Sequence, residues 1–373
     1  MLLGIHPNKH GSFEDFAIHI CREISNRGYI PHIAFPTVPP DWFEKNLHKA
    51  GGILAPTRLV TKPWAPGSLL KYLSAENIHI LHLHLVHTMA AWLWKKITGF
   101  PLVLTLHVGK DYNSRHWLGI AAALRARLIY RASKIIAISG YIQKFALGLD
   151  FNLLPDNIIQ IYNGVDINRF CPRLDKTSLR QQLNWKADKI VLLSITHLRK
   201  DKGLELLIRA FSKAARVHGN IILAIVGDGP DLNNLKDLTK QLEITDRVKW
   251  LGQRNDTEKL MGSADIFILT PIWEEPFGYV FAEASSCGLP VIATNSGGIP
   301  EIVENGKTGI ILEKNDITGI SSAMCKLADN DDLRKQMGQK GRKRIEKYFD
   351  IKMQVRQIVD LYEHEIKSAI LNS

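Results

Sequence analysis

The chain has 373 residues, 45% of them hydrophobic and 23% charged, which is enough apolar mass for more than one domain. It has no uninterrupted apolar run of about 18 residues, which argues against a spanning helix. Its four cysteines (Cys21, Cys171, Cys287, Cys325) are too scattered for a disulfide framework or a structural zinc. The net charge of +11 sits mainly in residues 1–170, where 18 Lys/Arg stand against 10 Asp/Glu, and it admits nucleic acid, an anionic membrane face or a phosphorylated substrate as partner.

The first residues read as a strand ending at Gly4-Ile5-His6 rather than a leader, so a cytosolic protein is expected. The loop His6–Glu14 then enters a helix over Phe16–Asn26, with Gly11 and Ser12 able to present backbone N–H groups to an anion. Tyr29–Phe35 returns as a strand, and the proline-rich, aperiodic stretch 36–67 reads as a long ordered excursion. Strands follow at Ile78–Leu83, Leu102–Leu106, Lys134–Ile138 and Ile158–Ile161, which indicates a mostly parallel sheet with helices on both faces. His82 and His84 share one side of a strand end, with His87 beyond. No cysteine or carboxylate stands nearby to support a zinc site, so His84 reads as a cleft or structural histidine. His107 ends an apolar strand, and Lys110 and Asp111 follow it as candidates for an acceptor entrance. Arg125, Arg127, Arg131 and Lys134 interleave with Leu124, Leu128, Ile129 and Ile135 as a basic helix face, either solvated or lying on an interface. Ser139 lacks a G-x-S-x-G context and reads as a helix cap, not a nucleophile.

A second series of elements starts at Lys189. Strands are expected at Ile190–Ile195, Ile221–Val226, Val248–Leu251, Ile266–Leu269, Val291–Ala293 and Gly309–Leu312, with helices at Gly203–Val217 and Leu232–Gln241. This restart divides the chain into residues 1–170, residues 171–350 and a terminal helix over 351–373 that braces the first domain. The basic loop Thr196–Gly203, containing His197, Arg199 and Lys202, feeds a helix start that favours anions. Gly227-Asp228-Gly229-Pro230 is a tight strand-to-helix turn without a full dinucleotide fingerprint. Glu275 lies at the mouth of a turn and Glu283 about two helical turns inside, with Ser296-Gly297-Gly298 after the next strand. Carboxylates suited to hydroxyls beside cationic groups suited to phosphate satisfy the demands of a nucleotide sugar.

Taken together, the loop at Gly11, Asn163-Gly164-Val165-Asp166, Lys202-Gly203, Gly227–Pro230, Glu275 to Glu283 and Gly297-Gly298 resemble the retaining glycosyltransferases of GT-B family 4. The resemblance covers most of the chain. It implies an α/β GT-B fold, with two Rossmann-like doubly wound domains facing across a cleft and a C-terminal helix crossing back. It assigns acceptor binding to the first domain and nucleotide-sugar binding to the second. By the same resemblance Glu275 would contact the transferred sugar, Glu283 the ribose, and the backbone of Phe277, Gly278, Tyr279 and Val280 the sugar or diphosphate. Lys202 would neutralise the departing diphosphate, Gly229 would allow close approach, His107 would meet the sugar near its C6 hydroxyl, and Gly11 with Ser12 would wall the donor. One departure stands out: Thr196 and His197 occupy the positions where the family has Gly-Arg, which leaves His197 or Arg199 to serve the phosphate.

The implied reaction is metal-independent, cofactor-free front-face transfer from a UDP-, GDP- or ADP-sugar to a glycan, lipid-linked or small-molecule hydroxyl. The basic first domain adds a phosphorylated acceptor or an anionic membrane face as partner, and a cytoplasmic location peripheral to the inner membrane. Competing readings are a nucleotide-sugar epimerase or phosphorylase and a noncatalytic sugar-nucleotide binder. With no zinc finger or RNP motif, nucleic acid is not the expected partner.

Overall fold

The computed structural model describes residues 1–7, 10–61, 66–85, 89–107, 132–148, 155–172 and 176–371. Two compact units emerge, one formed by Met1–Gly164 together with Ile351–Ser373 and the other by Val165–Asp350. His87, Lys110, Asp111 and the basic face from Leu124 to Arg131 lie outside the described residues.

In the first unit a parallel sheet runs β1 (Leu2–Leu3), β4 (Leu81–His84), β5 (Leu102–Leu106), β6 (Lys134–Ala137), β7 (Ile158–Gln160). Beside β1, the pair β2 (His32–Ile33) and β3 (Ile53–Leu54) continues the parallel arrangement through a Leu2–Ala34 bridge. The expected strand Tyr29–Phe35 is thus reduced to two residues, and the excursion 36–67 holds a crossover. A helix over Asp41–Lys49 begins after Pro40 and turns Phe43 and Leu47 into a cluster with Leu3, Ile33 and Phe35. Its apolar signal is only one i, i+4 pair, too short for periodicity to reveal. The strand expected at Ile78 starts later, at Leu81, because Asn77 sits at φ +50° and holds the chain in a turn.

One face of this sheet is covered by the helices Ser12–Asn26 and Ile351–Leu371. Phe16, Ile20 and Ile24 from the first and Val355, Ile358, Val359 and Tyr362 from the second enclose Val103, Ile136 and Ile161. The last helix is pinned by polar contacts as well: Arg27 reaches Asp360 at 2.6 Å, and Gln354 accepts from the Gly164 N–H at 2.9 Å while donating to Asn163 at 3.1 Å. Ser139 caps the helix Gly140–Leu147, its Oγ accepting from the Ile142 N–H at 3.1 Å.

In the second unit six parallel strands take the order β10 (Val248–Trp250), β9 (Ile221–Val226), β8 (Ile190–Ile195), β11 (Ile266–Leu269), β12 (Val291–Thr294), β13 (Gly309–Leu312). Relative to the first of them, this is the doubly wound order 3-2-1-4-5-6. The winding reverses between β8 and β11, and in such sheets the crevice at the carboxyl ends of the two strands flanking the reversal is where ligands bind. β11 is a continuous apolar run and β8 is apolar apart from the buried Ser194, with nearly every side chain of both buried, as expected of a sheet covered on both faces. No helix among the described residues is long and apolar enough to cross a membrane.

Candidate functional site

The loops leaving β8 and β11 carry the two residues singled out for opposite roles, and the fold puts them in contact. Lys202 Nζ donates to Glu275 Oε2 at 2.8 Å, although 73 positions separate them in sequence. Each side chain is 17% exposed, so the pair is half-enclosed and its attraction is less screened than on an open surface. Trp273 completes the cluster. Its indole Nε1–H donates to the same Oε2 at 3.0 Å, and its ring lies 4.6 Å from Lys202 Nζ in cation–π contact. Trp273 carries no motif and was not legible in the sequence; its only signal is its place in the loop two residues before Glu275.

The backbone fixes this cluster from both sides. Gly203, next to Lys202, has φ +67°, and its carbonyl accepts from Thr270 Oγ1 at 2.9 Å, tying the β8 loop to the end of β11. The Ile272 N–H donates to the Asp201 carbonyl at 3.0 Å. On the other side Gly297 has φ +50°, and a Cβ there would stand 2.1 Å from the Glu275 carbonyl oxygen; only glycine admits so close an approach. The Glu275 N–H donates to Ser296 Oγ at 3.1 Å, and that hydroxyl in turn donates to the Trp273 carbonyl. Glu274 is held by Lys314 Nζ at 2.5 Å and the Gly297 N–H at 2.7 Å. Burial works against its charge, but these two donors outweigh it and keep Glu274 below the usual carboxylate range.

The helix after this loop begins at Tyr279, with Gly278 in front of it at φ +95°. Glu283 is therefore one turn inside, not about two, and its side chain is partly exposed. Phe277 is buried against Tyr279 and Phe349, at ring-centroid distances of 5.3 and 5.9 Å, so its side chain anchors the loop, while Tyr279 and Val280 are partly exposed at the helix start.

The other cationic candidates are engaged. Arg199 is chelated by Asp201, with Nε to Oδ1 at 2.8 Å and Nη2 to Oδ2 at 2.7 Å, and this hydrogen bonding raises its already high pKa. His197 is exposed, and its Nδ1 bonds to the Asp228 carbonyl. Because a carbonyl only accepts, Nδ1 carries the proton, and a neutral ring turns the Nε2 lone pair outward. The Gly227–Pro230 turn is joined to this loop by the Leu198 N–H donating to the Asp228 carbonyl at 2.9 Å, while the Gly229 N–H donates to Asp228 Oδ1 at 2.7 Å.

In the first unit, His107 leaves the end of β5 and packs on Phe13, ring centroids 5.1 Å apart, which brings it beside the helix that Gly11 and Ser12 introduce. The Gly11 N–H itself donates to Glu14 Oε2 at 3.1 Å, so the helix start is served by its own carboxylate. His107 Nε2 lies 3.0 Å from His84 Nδ1, and His84 Nε2 lies 3.3 Å from His82 Nδ1. Among the described residues no three His, Cys, Asp or Glu are grouped so as to hold a metal ion.

Burial holds His82 and His84 well below the usual imidazole pKa of 6.5 and takes His107 down to about 3. In the unfolded chain these rings take up protons as the pH falls below 6.5, whereas the native rings do not, so the unfolded state binds more protons and stability falls with pH. The resistance of the first unit to denaturant should therefore fall as the pH is lowered from 7.5 to 5.5, by up to about 1.4 kcal/mol per pH unit for each of the buried rings His82 and His84. A pH-independent midpoint across that range would contradict it.

Comparison with known proteins places these features in context. The profile of the glycosyl transferases group 1 matches residues 175–344, and that of Glycosyltransferase Family 4 matches residues 14–169. The chain is 30% identical to the N-acetyl-alpha-D-glucosaminyl L-malate synthase of Bacillus anthracis, over 77% of this chain and 75% of that protein. It is also 30% identical to the UDP-Gal:alpha-D-GlcNAc-diphosphoundecaprenol alpha-1,3-galactosyltransferase of Escherichia coli, over 79% and 78%. The D-inositol 3-phosphate glycosyltransferase of Corynebacterium jeikeium is 32% identical over 73% and 70%. In fold it is similar to Anabaena HepE, crystallised with UDP, with a TM-score of 0.81, 23% identity and coverage of 97% and 99%.

Proposed function

Since the chain belongs to the group 1/family 4 glycosyltransferases of GT-B fold and transfers a sugar from a nucleotide-diphosphate donor to an acceptor, we propose that the transfer retains anomeric configuration and proceeds on one face of the sugar. The observation that carries this reading is the Lys202–Glu275–Trp273 cluster at the strand reversal of the second unit. A cation at that strand reversal can meet the charge that develops on the departing diphosphate. In the donor complex, Lys202 turns from Glu275 to the phosphate oxygens, and Glu275 accepts from hydroxyls of the sugar.

The acceptor hydroxyl attacks the anomeric carbon on the side from which the diphosphate leaves. The carbon–oxygen bond to phosphate breaks, a new glycosidic bond forms, and the leaving phosphate oxygen takes the hydroxyl proton. Neither glutamate is then a nucleophile, in contrast to the paired carboxylates of retaining hydrolases. Lys202 supplies the positive charge, so no metal is required. Glu283 binds the ribose, the backbone of 277–280 and Gly229 approach the diphosphate, and His107 contacts the sugar, with Gly11 and Ser12 beside it. Phosphate contact by Arg199 requires opening its chelate with Asp201, and His197 serves an anion only as an imidazolium.

The acceptor is an anionic molecule bearing a hydroxyl, bound by the first unit. Two observations support this: the excess of Lys/Arg over Asp/Glu in residues 1–170, and the malate, diphosphoundecaprenol and inositol phosphate in the names of the relatives. A lipid-linked acceptor would bring the protein to the cytoplasmic membrane face.

The test is a thermal-shift panel of UDP-, GDP- and ADP-sugars, then transfer from the best donor to dicarboxylate, sugar-phosphate and lipid-diphosphate acceptors, with the product anomer read by NMR. No selective stabilisation by any donor, or an inverted product, would overturn the reading. Glu275→Gln should lower kcat/KM for the donor about 100-fold, since the amide cannot match a carboxylate as acceptor; donor kinetics equal to wild type would remove Glu275 from the site.

A further inference from the structure

Trp273 and Glu275 close a small ring of hydrogen bonds through one serine. The Glu275 N–H donates to Ser296 Oγ at 3.1 Å, that hydroxyl donates to the Trp273 carbonyl, and the indole Nε1–H of Trp273 donates to Glu275 Oε2 at 3.0 Å. The Gly298 N–H adds a bond to the Glu275 carbonyl at 2.8 Å. The backbone of both residues is therefore held without help from the indole. What the indole N–H holds is the carboxylate.

A carboxylate oxygen has two lone pairs, and in the ligand-free protein both of those on Oε2 are taken, one by the indole and one by Lys202 Nζ at 2.8 Å. Among the described residues no donor reaches Oε1. The two donors on Oε2 are not equivalent. The Lys202 ammonium ends a flexible stem and is the group drawn to a diphosphate. The indole is a stiff side chain that stands two residues away on a pinned backbone. Once Lys202 turns to the phosphate, the indole N–H is the donor that stays on Glu275. Its charge-assisted bond leaves Oε1 and one lone pair of Oε2 in set places for sugar hydroxyls.

We infer that Trp273 is a positioning residue, which keeps the Glu275 carboxylate in place after Lys202 has been drawn off to the diphosphate. This deepens the sugar-contact reading of Glu275 and rests on it for its catalytic consequence. Lys202→Met removes the competing donor without any ligand, so the first measurement is made on the whole ligand-free protein. In uniformly labelled protein the Trp273 indole N–H is assigned from sequential resonances, and its exchange with solvent is followed by NMR. It should be protected in the wild type and stay protected in Lys202→Met. Wild type saturated with the nucleoside diphosphate of the best panel donor gives the same reading if that variant does not fold. An indole that exchanges as freely as in the urea-unfolded chain, once Lys202 is removed or drawn off, overturns the inference.

The second measurement is kinetic. Trp273→Phe keeps an aromatic face beside Lys202 and loses the N–H. It should lower kcat/KM for the nucleotide sugar about tenfold, as expected for a lost hydrogen bond to a charged group. Affinity for the bare nucleoside diphosphate should stay within about twofold of wild type, because only the sugar meets Glu275. A merely structural role would move both. Equal losses for the two ligands overturn the inference, and so does wild-type transfer by a folded Trp273→Phe when Glu275→Gln is impaired. If Glu275→Gln also transfers like wild type, the sugar contact of Glu275 is what fails, and the protection of the indole decides the inference alone.

Discussion

Lys202→Met should lower kcat by about 10²- to 10³-fold, the range found when one preorganised group is removed from developing negative charge. Methionine approximates the length of the lysine side chain and can still lie against Trp273, so what is lost is the charge rather than the packing. Glu275 keeps the indole N–H as donor and stays in place, held by Ser296 and the close approach of Gly297. Arginine should not rescue the activity, because the slot between an indole face and one carboxylate oxygen is shaped for an ammonium, not for a planar fork. Single-turnover transfer with saturating donor measures the effect directly. A loss of less than about threefold would mean that the leaving group is neutralised elsewhere.

Gly203→Ala should destabilise the second unit by on the order of 3 kcal/mol or more and take activity with it. The residue sits at φ +67°, which alone costs an alanine roughly 1 kcal/mol, and its Cβ would fall 1.8 Å from the Thr270 carbonyl oxygen. That oxygen belongs to backbone leaving a central strand, so relief requires pulling apart the loops of β8 and β11, which separates Lys202 from Glu275. Gly219→Ala provides the contrast, since its Cβ would meet nothing within 4 Å and its φ lies outside the left-handed region. If the two variants unfold at the same denaturant concentration, the strain argument is wrong.

Much of the second unit was legible in the sequence. β8, β9, β11 and β13 match the expected strands residue for residue, because each is a largely apolar run, interrupted only by Ser194 in β8 and opened by Gly309 in β13, between polar or glycine-containing turns. The first unit was less transparent: β1, β2 and β3 are two residues long, shorter than any periodicity; the crossover helix brings β2 to β3, and β1 pairs with β4. At the site, glycines and charges marked Lys202, Glu275 and Gly297, but not that Lys202 and Glu275 touch, since that pairing follows from strand order. Trp273, Lys314 and Tyr362 carry no signal. The last lies 280 positions from His82 in sequence, and only the return of the chain to the first unit brings them together.

That return also orders events during synthesis. Residues 1–164 leave the ribosome first, yet their sheet face stays open until 351–371 arrive to cover Phe16, Ile20 and Val103. The stretch Val165–Asp350 is contiguous, and its two ends meet, with the Val165 N–H donating to the Phe349 carbonyl at 2.8 Å, so it can fold as soon as it is made. The nascent chain therefore finishes its second unit before its first. During translation of nearly two hundred residues, an unfinished apolar sheet face is what a chaperone would find to hold.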